Sequence, residues 1–181
     1  MDRSFSRILL VLSLTCCIIP AAAQPKPVSS PLFNADLQRV ARKAALIFTG
    51  TVVSIAAVRG IGSAETTGVE VTFQVEQALR GLRAGQRYTI REWSGLWMSG
   101  PRYRVGQRMT LFLCRPSRAG LTSPVEGSLG RYDVDRSGQV TIPPTRVPTP
   151  TILPRPIVAG SQHIPIRTFS RAIRQAMEES R

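Results

Sequence analysis

Histidine and cysteine are nearly absent: this chain of 181 residues holds one histidine and three cysteines. A structural or catalytic zinc site needs three or four Cys, His or carboxylate ligands. His163 stands alone in a proline-rich segment and reads as an exposed connector residue. Two of the cysteines, Cys16 and Cys17, fall in the first 23 residues, so Cys114 is the thiol left to the body of the chain. An internal disulfide framework is therefore not expected, and the core must hold the fold by burial. Lysine is scarce as well, with only Lys26 and Lys43, although the formal net charge is +13. Arginine carries that charge and is scattered along the chain rather than gathered in a block. This suits solubility and a general affinity for anionic surfaces.

Catalytic constellations are missing too. Ser123 lies in Leu121-Thr122-Ser123-Pro124, without the Gly-x-Ser-x-Gly elbow of a hydrolase nucleophile. Gly60-Ile61-Gly62 is followed by no third glycine, so no phosphate cradle is expected. Asp133-Val134-Asp135 before Ser137-Gly138 lacks the later ligands of a calcium loop and reads as a hairpin turn. The expectation is a protein that is not an enzyme and uses no cofactor or metal. An exported hydrolase is the weakest alternative, for want of a site.

The first 23 residues read as a secretory signal peptide. Arg3 and Arg7 form a positive start, Ile8 to Ile19 is an apolar run, and Ala21-Ala22-Ala23 offers small side chains for cleavage. The run is about 12 residues, short of the ~20 needed to span a bilayer, so no transmembrane segment is expected in the mature chain. Lipid attachment at Cys16 or Cys17 is disfavoured, because Thr15 or Cys16 stands where a lipobox places Gly, Ala or Ser. The protein is thus expected in the periplasm or outside the cell.

Residues 24–33 form a Pro/Ser-rich leader, and Asn34 reads as the cap of a helix carrying Leu37, Val40, Ala41 and Ala44 on one face. Ala45 to Val58 suits a long strand bent at Gly50. Val69, Val71, Phe73 and Val75 alternate with polar residues, as a half-buried strand requires. Arg87 to Trp93 and Arg108 to Cys114 supply two more strands, the latter with Met109, Leu111 and Leu113 on one face. A hairpin turning at Arg136-Ser137-Gly138 closes the body at residue 142. Seven prolines between Pro143 and Pro165 predict an extended connector. Phe169, Ala172, Ile173, Ala176 and Met177 then define an amphipathic C-terminal helix over 166–181, with Thr168 as a cap. The domain itself is expected over 34–142 and the connector over 143–165.

Leu46-Ile47-Phe48-Thr49-Gly50-Thr51-Val52, Val71 to Gly81, Tyr103 to Leu113 and Pro116 to Tyr132 together are similar to exported bacterial proteins of unknown function. The resemblance implies the netrin-like fold of the tissue inhibitors of metalloproteinases: a mainly β, five-stranded OB-like barrel with two short flanking helices. It also suggests a protease inhibitor or protease-associated module as an alternative function. The N-terminal cysteine through which such inhibitors chelate zinc has no counterpart near Gln24.

The residues best suited to recognition are Arg91, Trp93, Trp97, Arg102, Tyr103 and Arg104. Aromatics interleaved with arginine favour stacking and anion contact. The plainer expectation, which is preferred, is that Trp93 and Tyr103 close the barrel mouth while the arginines solvate the loop. The leading functional expectation is an exported binding module for a protein or an anionic envelope component. Nucleic acid is an awkward ligand for an exported protein.

Overall fold

The computed structural model describes residues 31–60, 66–100, 102–143 and 161–179. The expected signal peptide, residues 24–30 of the leader and residues 144–160 of the connector lie outside them. Helix α1 spans Pro31–Lys43 and so begins before Asn34, which sits inside the first turn. Proline suits such a start, since its fixed φ is helical and its missing N–H would have no intrahelical partner. Leu37, Val40, Ala41 and Ala44 are buried. At the far end, Arg80 Nη1 donates to the Ala41 and Ala44 carbonyls at 2.7 and 2.9 Å, meeting the negative pole of the helix with a cation.

Strands β1 (Leu46–Arg59) and β2 (Thr66–Arg80) run antiparallel with four register shifts, one of them between Thr49 and Gly50. The shift has a steric cause. A Cβ on Gly50 would stand 2.6 Å from the Gln74 carbonyl oxygen. Gly50→Ala should therefore destabilise the protein by about 1–3 kcal/mol through forced backbone movement. Denaturant unfolding would measure this, and an unchanged midpoint would mean that the backbones do not approach so closely.

Strands β3 (Arg87–Trp93), β4 (Arg108–Leu113) and β5 (Arg131–Asp133) complete a sheet of order β3-β2-β1-β4-β5. Strand β4 is buried on both faces. Met109, Leu111 and Leu113 join Phe48, Val71, Phe73 and Ile90 on one side. Phe112 faces the other, where Tyr132 and Phe169 complete an aromatic group with Phe169 4.8 Å from Tyr132. The hydroxyls of Thr49 and Thr110, also buried, satisfy each other at 2.8 Å.

The hairpin turns where expected, but its second strand also takes a partner from further along the chain. The turn at Asp135–Gly138 forms, with Gly138 N–H donating to the Asp135 carbonyl. Beyond it, β6 (Gln139–Ile142) pairs with β7 (Gln162–Pro165) in a second, two-stranded sheet. Back toward β5, an antiparallel bridge joins Val134 to Val140 and the Asp135 N–H donates to the Gln139 carbonyl at 2.9 Å. Helix α2 (Ile166–Glu178) follows β7 directly and buries Phe169, Ile173 and Ala176. Thr168 lies inside α2, and Pro165 holds the cap position with no side-chain cap bond.

The OB-like, netrin-like barrel expected from the sequence is overturned, and with it the resemblance on which it rested. Both sheets are open and the domain is mixed α/β, with β3 and β5 as the outermost strands of the larger sheet. The physical reason lies in those edges. Strand β5 has three residues, all paired to β4. The outer edge of β3 meets a loop instead of a strand, where Thr122 N–H donates to the Arg91 carbonyl at 2.8 Å. Among the described residues no helix is long and apolar enough to cross a membrane.

Candidate functional site

Alternation along β3 turns Tyr88, Ile90 and Glu92 toward the aromatic core of the sheet and leaves Arg87, Thr89, Arg91 and Trp93 outward. Glu92 is fully buried. Its Oε2 accepts hydrogen bonds from Trp97 Nε1 at 3.1 Å and Arg102 Nε at 2.8 Å, and its Oε1 accepts from the Tyr103 hydroxyl at 2.8 Å. Three donors from one loop thus converge on a single carboxylate, which satisfies a group that would otherwise be costly to bury. The Tyr103 ring stands edge-on to Phe73 at 5.7 Å, and the Arg131 guanidinium sits 4.6 Å above its centroid. Arg131 also donates to the Arg102 carbonyl. Burial, reinforced by the Glu92 charge, pushes the Tyr103 hydroxyl far above its ordinary acidity range, so it remains a donor to Glu92.

This anchor sorts the residues singled out by sequence. Trp97, Arg102 and Tyr103 are drawn together on Glu92. Trp93 is left outside at 58 % exposure, and Met98 is 88 % exposed. Gly95 makes room for the indole, since a Cβ there would fall 2.3 Å from the Trp93 ring. Arg91 lies against Gly68, and its Nε is buried without a hydrogen-bond partner among the described residues. Arg104 is exposed, and its backbone N–H donates to Gln107 Oε1 at 3.0 Å.

Sequence reasoning missed Glu92, although its inward parity with Tyr88 and Ile90 was the signal: a carboxylate in an apolar register has to find donors. It also missed a groove of about 260 Å³ beside Trp93, whose walls are Leu96, Leu121 and Cys114. Arg115, Thr122 and Ser123 complete the lining. The loop that carries them is tied down at Cys114, whose N–H donates to the Ser123 carbonyl and whose carbonyl accepts from Thr122 Oγ1. A second cleft of similar volume involves Arg131 and Asp133. Those two side chains are already engaged, with Tyr103 and Gln107 respectively.

The same loop is clamped to α1 at Glu126, a non-glycine residue at φ 51°. Glu126 accepts from Lys43 Nζ at 2.7 Å and Arg39 Nε at 3.1 Å. The Lys43 bond holds its carboxyl below the ordinary value of 4.5. A carboxylate depressed in the folded state stabilises above its unfolded pKa and loses that contribution as pH falls through the folded one. The clamp is exposed and screened by solvent, so under about 1 kcal/mol should vanish on acidification below pH ~4.5. Thermal midpoints across pH 3–6 should fall less steeply for Glu126→Gln than for the native chain; identical slopes would exclude the clamp.

Among the described residues no group of three or more His, Cys, Asp or Glu is placed to hold a metal ion. No protein-family model matches the chain, and no curated protein matches it.

Proposed function

We propose that this chain is an exported, non-enzymatic binding module whose partner is an anionic component of the cell envelope. One observation carries the reading. The buried Glu92 cluster spends three donors on fixing a loop beside which Trp93, at the end of β3, and Met98 are large, apolar and exposed. Large apolar side chains exposed beside a positioned loop support a contact surface. The exposed arginines Arg104, Arg115 and Arg118 make no ion pair among the described residues, which favours a partner of negative charge. The signal-peptide pattern of residues 1–23 supports a partner outside the cytoplasm.

The test is capture of envelope material, separated into lipid, polysaccharide and protein fractions, on the immobilised protein. Capture should saturate and weaken as salt rises. It should be lost in the Trp93→Ala/Met98→Ala variant, whose thermal midpoint stays within about 2 °C because both side chains face solvent. Undiminished capture by that folded variant would move the contact surface elsewhere.

A further inference from the structure

The groove beside Trp93 has the composition of a recognition subsite for one kind of ring. The Trp93 indole lies against Gly95 and lines the groove. Arg115, on the rim, is exposed and makes no ion pair among the described residues. Thr122 Oγ1 is committed to the Cys114 carbonyl, whereas Ser123 Oγ has no hydrogen-bond partner among the described residues. Leu96 and Leu121 complete the apolar part of the lining.

We propose that this groove is a subsite for an acidic saccharide, a sugar ring bearing a carboxylate. The inference rests on the binding-module reading above and names its ligand class. The C–H bonds of a sugar face carry partial positive charge and complement the negative face of an indole. A guanidinium offers the carboxylate two parallel N–H donors. The free Ser123 hydroxyl takes a ring hydroxyl as donor or acceptor. Other occupants fit less well. An acyl chain requires an unbroken apolar slot, and Arg115, Thr122 and Ser123 interrupt this one. An extended peptide requires backbone partners, and the nearest sheet edge at Arg91 is already taken by the Thr122 N–H.

Titration calorimetry of the full chain with a trimer of galacturonic acid, against the neutral galactose trimer, tests this. The acidic trimer should bind and the neutral one should bind at least about tenfold more weakly. Trp93→Ala and Arg115→Gln should each weaken the acidic trimer by about tenfold with unchanged thermal midpoints. Equal binding of the two trimers, or full affinity in either folded variant, would overturn the proposal. If the acidic trimer fails while phosphatidylglycerol vesicles or polyglutamate bind in a Trp93-dependent way, the saccharide is wrong and the binding module stands. If none of the three binds and envelope capture is indifferent to Trp93→Ala, both readings fall.

Discussion

Glu92→Ala should destabilise the protein by about 3–5 kcal/mol, the cost of breaking a buried charged network from one side. The carboxylate is fully buried, and its loss strips the acceptor from Trp97 Nε1, Arg102 Nε and the Tyr103 hydroxyl together. Arg102 is 20 % exposed and regains water, so the largest share falls on the buried tyrosine hydroxyl. Glu92→Gln keeps one acceptor oxygen and should cost less than the alanine change. Denaturant unfolding at neutral pH reads both. A loss below ~1 kcal/mol for Glu92→Ala would mean that the loop is held by its aromatics alone.

Phe73→Ala should cost about 3–5 kcal/mol, as removal of a buried aromatic does when neighbours cannot collapse into the gap. Phe73 is fully buried on β2, with ring centroids 5.5 Å from Phe48 and 5.7 Å from Tyr103. It therefore supports both the sheet and the platform under the exposed loop. Tyr103 touches Phe73 and Glu92 at once, so the two alanine changes should be non-additive when combined. Strict additivity would show that the tyrosine does not couple core to loop.

The strands were legible where one face alone is apolar. The alternation from Val69 to Val75 lies within β2, and the span from Arg87 to Trp93 is β3 as it stands in the structure. The bend expected at Gly50 coincides with a register shift, where the Gln74 backbone comes too close for a side chain. Closure of the sheet was not legible. It depends on what the backbone of β3 finds at its outer edge, and side-chain patterns are silent on that. The pairing of β6 with β7 was hidden for a related reason. Prolines mark 143–165 as extended, but Gln162 to Pro165 also finds a partner strand distant in sequence. At the candidate site, composition picked out the loop but not the way its aromatics divide. Trp97 and Tyr103 turn to Glu92 because a buried carboxylate demands donors, and Trp93, one residue out of phase, points to solvent.

That division between two tryptophans gives the most direct measurement. With 5-fluorotryptophan incorporated, Trp93 and Trp97 give separate fluorine resonances, assigned by Trp93→Phe. Trp93, exposed on Gly95, should show the larger solvent-isotope shift. On addition of the anionic envelope fraction its signal should broaden or move first, while Trp97, bonded to Glu92, stays in place. A response confined to Trp97, or no response at Trp93 under conditions where material is captured, would contradict the account.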